Sequence, residues 1–367
     1  MEELRVIISG GGTGGHIFPA LAIAGELKNR FPHCELLFVG ALGRMEMEKV
    51  PAAGFPIVGL PVMGFPRKPG LNTFRFFVQL FQSMLKARKV VRDFRPHVVV
   101  GVGGYASGPL LRAAVSRGIP ALIQEQNSYA GITNKLLGKK ASRICVAYEG
   151  MERFFPREKL VFTGNPVRQN LLDGAAKKEE ALAFFNIPSG RKVMLMVGGS
   201  LGARTLNNAV LQNLEQIRQS ELEIIWQTGS LYFEEMKQKT EGILPPNLHL
   251  HQFLNRMDLA YAAADVVVSR AGAGTISELC LVGKPVVLVP SPNVAEDHQT
   301  KNAQALVDKQ AAVMVRDHEI GEKLISEIAS LIADEARMTA LSENIRKLAR
   351  PEATRRIVDE VLKLINR

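Results

Sequence analysis

The chain has 367 residues, 46% of them hydrophobic and 22% charged, with a formal net charge of +10. Its length predicts two domains of ordinary size, its composition excludes a disordered or fibrous chain, and it holds no run of eighteen apolar residues that could cross a membrane as a helix. The charge is uneven: residues 1–170 carry 23 Lys+Arg against 11 Asp+Glu, net +12, and the remainder 23 against 25, net −2. Such asymmetry points to an anionic surface or polymer met by the first half, nucleic acid and phospholipid being the two candidates.

The opening, MEELRVIISGGG, runs directly into a strand with no basic leader or apolar signal core, so a cytoplasmic protein is expected. LRVIISG, CELLFVG, HVVVGVGG, PALIQEQN and RICVAY then read as short β-branched strands separated by amphipathic stretches, the pattern of a parallel sheet. FTGNPVRQNLLDGAAKKEEALAFFNIPSG breaks it with turn residues and a charged segment, placing a boundary near 165–190. The alternation restarts with KVMLMVGG, LEIIWQTG, LHLHQF, DVVVSRAG and KPVVLVPS, with helical stretches such as 203–217 and 257–264. An α/β protein of two doubly wound domains is predicted, with a ligand beyond the carboxyl ends of the strands in a cleft between them. Cys34, Cys145 and Cys280 are far apart in apolar stretches and read as small buried hydrophobes.

Three strand-to-helix turns are rich in glycine: Gly10 to Gly15 followed by His16, Gly198 to Ala203 around Ser200, and Gly272 to Thr275. Glycine permits tight turns and close backbone approach, and the N–H groups that open a helix favour an anion. None has the GxxxxGK[ST] lysine of an ATP-hydrolysing loop. The spacing Gly10-x-Gly12-x-x-Gly15, with Glu35 in reach of a ribose, keeps a nicotinamide oxidoreductase open.

In context, GGGTGGHIFPALAIA, GVGGYASGP, QEQNSYAGITNKLL, GNPVR, VGGSLGART, RAGAGTISEL and EDHQTKNA resemble, in order and spacing, the MurG family of UDP-N-acetylglucosamine transferases of peptidoglycan synthesis. The resemblance implies a GT-B fold of two Rossmann-like domains facing across a cleft. Residues 1–165 with the helix at about 350–367 would form the acceptor and membrane-associating domain, 166–184 a linker, and 185–349 the UDP-GlcNAc domain. It implies that GlcNAc moves from UDP-GlcNAc to the C4 hydroxyl of MurNAc in lipid I, the undecaprenyl-diphosphate-linked MurNAc-pentapeptide, with inversion, giving lipid II. Cell-wall biogenesis, cell shape and division, and a peripheral place on the cytoplasmic face of the inner membrane follow, with contact to other cell-wall synthesis proteins.

The same resemblance assigns residues. Ser200 approaches the diphosphate; Ala273, Gly274 and Thr275, followed by Ile276 and Ser277, offer N–H groups to phosphate; Glu278 accepts the ribose hydroxyls. Leu254 pairs its backbone with the uracil edge, Gln299 bonds the sugar hydroxyls, and Arg168 adds charge nearby. Where the family pairs two glutamines, this chain has His298-Gln299. Thr13, Gly14, Gly15, Tyr105, Asn127 and Asn134 contact substrate. His16 opens a helix whose dipole disfavours imidazolium, which suits a general base, and Glu125 is the second base candidate. The chain has no DxD motif, so neither metal nor cofactor is expected. A UDP-GlcNAc 2-epimerase and a noncatalytic nucleotide-sugar or membrane adaptor are the rivals.

Residues 65–95 hold eight basic residues against Asp93 alone. Phe74, Phe77, Val78, Phe81 and Leu85 recur at i, i+3, i+4, i+7 and i+11, a face expected to bury, which leaves Phe76 and Leu80 with Arg75, and Lys139 and Lys140 beyond, to meet an anionic membrane. The stretch shows no RNA-binding motif, so no nucleic acid is expected.

Overall fold

A computed structural model describes residues 4–64, 70–167 and 177–365. The chain forms two compact units, residues 1–167 with 350–367, and residues 168–349.

The first unit is built on seven strands: β1 (Arg5–Ser9), β2 (Glu35–Ala41), β3 (Ile57–Leu60), β4 (Val98–Gly101), β5 (Ala121–Glu125), β6 (Arg143–Val146) and β7 (Leu160–Phe162). Every pairing is parallel and the spatial order is β3-β2-β1-β4-β5-β6-β7. Continuous burial along β4 and β5 fits strands covered on both faces. The helices are α1 (Gly14–Arg30), α2 (Glu46–Ala52), α3 (Leu71–Phe94), α4 (Ser107–Val115) and α5 (Ile132–Gly138).

The second unit has six parallel strands, β8 (Lys192–Val197), β9 (Leu222–Gln227), β10 (Leu248–His251), β11 (Val266–Ser269), β12 (Val286–Leu288) and β13 (Val313–Met314), ordered β10-β9-β8-β11-β12-β13. Around them lie α6 (Lys178–Phe184), α7 (Arg204–Gln212), α8 (Leu214–Gln219), α9 (Phe233–Thr240), α10 (Met257–Ala263), α11 (Ala273–Val282), α12 (His298–Val307), α13 (Ile320–Ala333) and α14 (Glu335–Lys347). The single helix expected over 203–217 is broken at Asn213, whose buried amide donates to the Ala209 and Gly321 carbonyls. Fully buried Trp226 anchors this core and donates its indole N–H to Asn207 at 3.0 Å. The last helix, α15 (Ala353–Ile365), belongs to the first unit, where Ile357, Val358, Val361 and Leu364 pack with Ile8, Ile23 and Leu27.

In both sheets the strand order reverses beside the first strand of the unit, between β1 and β4 and between β8 and β11. Loops leaving the carboxyl ends at such a reversal diverge and open a crevice. The three glycine-rich turns of the sequence, together with the GVGGYASGP turn, are the loops at these two points.

The structure corrects the reading of α3. Phe74, Phe77, Phe81 and Leu85 are 71%, 57%, 65% and 49% exposed and Val78 is exposed with them, whereas Phe76 and Leu80 are half-buried. The face that packs runs through Phe76, Leu80, Ser83, Ala87 and Val91: Ala87 and Val91 join Leu60, Leu110 and Leu111 in the core, and Ser83 donates to the Pro61 carbonyl at 3.0 Å. Small residues let α3 approach α4 closely, so close packing outweighed aromatic content in choosing the buried side. Arg75, Lys86, Arg88, Lys89 and Arg92 are exposed. Arg67 and Lys68 lie outside the described residues.

Candidate active site

In the first unit, three loops at the β1, β4 and β5 ends are fastened together. Thr13 caps α1 with extended backbone, its carbonyl accepts from His16 and Ile17 N–H, and its hydroxyl lies 3.2 Å from His16 Nδ1. The other edge of the imidazole lies on the turn after β4, where a Cβ on Gly103 would come within 2.6 Å of His16 Nε2. Gly103 also has φ +98°, so both conformation and space require glycine there. Buried Ser107 ties the turn down, donating within 2.9 Å to the Ser9 and Gly103 carbonyls. Thr13 and Gly15 are exposed, His16 and Gly14 half-buried, and Tyr105 is 54% exposed at the crevice edge.

Glu125, expected as a second base, is enclosed by its own loop. It is 1% exposed, and its carboxylate accepts from the N–H groups of Asn127 (3.1 Å) and Gly131 (3.0 Å) and from the amides of Asn127 (3.3 Å) and Asn134 (2.9 Å). Burial raises its pKa, and these donors oppose the rise. A carboxylate so enclosed holds the 126–134 loop in shape. Asn134, expected to meet a substrate hydroxyl, is 3% exposed and gives its NH2 to Glu125, while its buried Oδ1 has no partner among the described residues. Asn127 stays half-buried with its amide on Glu125. Gln126 donates to the Val102 carbonyl at 2.8 Å, which links this loop back to the β4 turn. Lys139 and Lys140 are exposed at the end of α5.

In the second unit, Ser200 stands exposed at the tip of the β8 turn. Buried Gln227 braces that turn to the segment after β10, donating to the Gly199 carbonyl (3.1 Å) and accepting from Leu254 N–H (3.0 Å). The Leu254 N–H is therefore already committed within the protein, which leaves its carbonyl as the backbone group for a base edge. Across the reversal, α11 begins at Ala273 with Gly272 as its cap and no acidic residue in its first turn. Its first N–H groups point out of the helix without intrahelical acceptors, the usual setting for a phosphate. Ala273 and Ile276 are buried; Gly274, Thr275, Ser277 and Glu278 are half-buried. Tyr261 hydroxyl reaches Glu278 Oε2 at 3.4 Å, and Ser277 Oγ turns back to the Ala273 carbonyl.

Sequence reasoning passed over Arg270 and Asp317. Arg270 donates to the Val289 carbonyl at 3.0 Å and pairs with Asp317, which also accepts from Thr205 at 2.9 Å, so one half-buried pair joins α7, the β11 turn and the β12 end. The segment before α12 holds two consecutive non-glycine residues at positive φ, Glu296 (57°) and Asp297 (51°). Gln299 just beyond accepts from Ser291 N–H at 2.9 Å through its carboxamide oxygen. Arg168 lies outside the described residues.

The glycosyltransferase family 28 N-terminal domain matches residues 6–146 and the family's C-terminal domain residues 193–357. A relative from Parabacteroides distasonis is 57% identical over 367 residues, covering 100% of both chains, and one from Bacteroides thetaiotaomicron is 56% identical over 99% and 98%. Both carry the name UDP-N-acetylglucosamine--N-acetylmuramyl-(pentapeptide) pyrophosphoryl-undecaprenol N-acetylglucosamine transferase. The chain belongs to glycosyltransferase family 28. The crystal structure of Acinetobacter baumannii MurG superposes with a TM-score of 0.77 at 29% identity over 98% of this chain and 99% of that one. A UDP-GlcNAc 2-epimerase from Neisseria meningitidis shares the fold alone, at 15% identity, TM-score 0.65 and coverage of 98% and 100%. The two doubly wound parallel-sheet units are those of the GT-B class. Within this family 28 chain, both reversals of strand order fall inside the matched domains.

Proposed function

We propose that this chain transfers GlcNAc from UDP-GlcNAc to the C4 hydroxyl of MurNAc in lipid I, inverting the anomeric centre and forming lipid II. The observation that carries this reading is full-length identity of 57% to a relative bearing that activity in its name, with the family's two domains in order.

In the second unit the diphosphate of UDP-GlcNAc rests on the first turn of α11 and against the Ser200 turn. The N–H groups and dipole of α11 stabilise the negative charge that grows on the leaving UDP. Glu278, steadied by Tyr261, accepts the ribose hydroxyls, the Leu254 carbonyl meets the base, and the NH2 of Gln299 faces the sugar. In the first unit His16, oriented by Thr13 and the Gly103 turn, takes the proton of the C4 hydroxyl. The oxygen attacks the anomeric carbon, the bond from that carbon to the β-phosphate oxygen breaks, and its electron pair leaves with UDP.

The acceptor is borne by a membrane, and no helix among the described residues is long and apolar enough to cross one. The exposed Phe74, Phe77, Val78, Phe81 and Leu85 of α3, flanked by exposed Arg75, Lys86, Arg88 and Lys89, form an amphipathic face suited to an anionic cytoplasmic leaflet.

Incubation with UDP-GlcNAc and a lipid I analogue, followed by mass spectrometry, tests the assignment. The expected products are the disaccharide lipid and UDP; N-acetylmannosamine with UDP and no disaccharide overturns it in favour of an epimerase.

A further inference from the structure

We infer that Glu46 is a positioning residue for the reaction, acting through the first glycine-rich turn on His16. Glu46 opens α2 and is 0% exposed. Gly12 N–H lies 3.1 and 3.0 Å from its two carboxylate oxygens, and Ala41 N–H, at the end of β2, donates to Oε1 at 2.9 Å. The carboxylate thus clamps the tip of the turn after β1 to the end of the neighbouring strand.

Two glycines on separate strand ends hold the space for this side chain. A Cβ on Gly11 would run into the Glu46 carboxylate, and one on Gly40 would come within 2.5 Å of its Cγ. Gly11 of this turn and Gly40 of β2 are thereby explained without a ligand. Backbone N–H groups at such a turn attract an anion, and here the anion is the chain's own carboxylate. Gly12 N–H is consequently committed within the protein, whereas α11 of the second unit opens with no acidic residue. The two units use similar turns for opposite purposes, one to fix a side chain and the other to receive phosphate.

The clamp reaches His16 in two steps. Gly12 has φ +90° and immediately precedes Thr13, the cap whose carbonyl accepts from His16 N–H and whose hydroxyl touches His16 Nδ1. Loosening Gly12 releases Thr13, and with it the angle at which the imidazole meets the acceptor. A displacement near 1 Å at a reacting group is enough for about a hundredfold in rate. Glutamine at position 46 would keep the one oxygen that both N–H groups reach but would set an NH2 in place of the second oxygen, 3.0 Å from Gly12 N–H, where donor faces donor and the turn is pushed away.

This inference rests on the proposed role of His16, and the test separates the two. In the full-length protein, kcat and KM for both substrates are measured for wild type, Glu46→Gln, His16→Ala and the double variant, with thermal midpoints alongside. Glu46→Gln is expected to lower kcat tenfold or more with KM for UDP-GlcNAc within twofold, and to add nothing in the His16→Ala background. Glu46→Gln at wild-type kcat, or a loss that multiplies in full onto His16→Ala, overturns the inference. His16→Ala at wild-type kcat overturns the base assignment instead. If Glu46→Gln does not fold, Gly40→Ala, which presses on the Glu46 side chain and keeps its carboxylate, must show a several-fold kcat loss that vanishes beside His16→Ala; an unchanged kcat refutes the clamp.

Discussion

Replacing Phe74, Phe77 and Phe81 together by serine removes three rings from the outer face of α3 while leaving its packed face intact. Full burial of a phenylalanine side chain is worth about 1.5–3 kcal/mol. These rings are 71%, 57% and 65% exposed, so each has about 1 kcal/mol to gain by partial insertion into a leaflet. The triple variant should then lose about 3 kcal/mol, roughly a hundredfold in partition coefficient. The cations Arg75, Lys86, Arg88 and Lys89 add about 1 kcal/mol each near an anionic surface, a contribution that salt screens over about 10 Å at 0.1 M. Sedimentation with vesicles containing anionic lipid, at low and high salt, separates the two effects. The variant should bind more weakly at both salt concentrations, while Arg75→Glu with Lys86→Glu should weaken binding chiefly at low salt. By contrast Phe76→Ser with Leu80→Ser should lower the thermal midpoint, since those side chains face the protein. Partitioning of the triple variant within twofold of wild type would refute the assignment of the outer face.

Three further outcomes are expected. His16→Ala should reduce kcat by about 10²–10⁴ with little change in KM for UDP-GlcNAc, as removal of a general base does, read by steady-state kinetics with a lipid I analogue. Turnover should survive exhaustive chelation, as the proposed placing of the diphosphate on helix and turn N–H groups requires; strict dependence on added Mg²⁺ would contradict that. Bidentate contact with Arg256, at 2.8 and 2.9 Å, holds the Asp258 carboxyl down at about 2. Its folded pKa is lower than its unfolded one, so the stabilisation of about 1–2 kcal/mol is present above pH 4 and fades as pH falls toward 2. Urea midpoints between pH 5 and 3 should fall more steeply for wild type than for Asp258→Asn, and equal slopes would remove Asp258 from the acid transition.

The two base candidates differ in surroundings that residue type does not reveal. Glu125 ends β5 and His16 follows β1, each beside a polar, glycine-containing segment. Only the fold shows that one carboxylate is wrapped by four donors while the imidazole stays half-buried at the crevice. Glu46 had no sequence signal, since its partners Gly12 and Ala41 meet it through parallel pairing of β1 with β2. Leu254 and Gln299 were legible as places in a pattern, yet which atom each has left for a ligand depends on Gln227 and Ser291.

By itself the sequence determined the two parallel sheets and the turns at their strand ends, because long β-branched runs and glycine at a strand-to-helix turn are local consequences of burial and backbone sterics. The edge strands β3, β7 and β13 escaped it: they are two to four residues long and paired on one side, too short to show a period. Only the tertiary structure decided which side of α3 meets solvent, since Ser83 and Ala87 bury by fitting closely against the neighbouring core and carry little hydrophobic signal. It also decided that the first glycine-rich turn is filled by Glu46, a contact between residues 34 positions apart that no local pattern encodes.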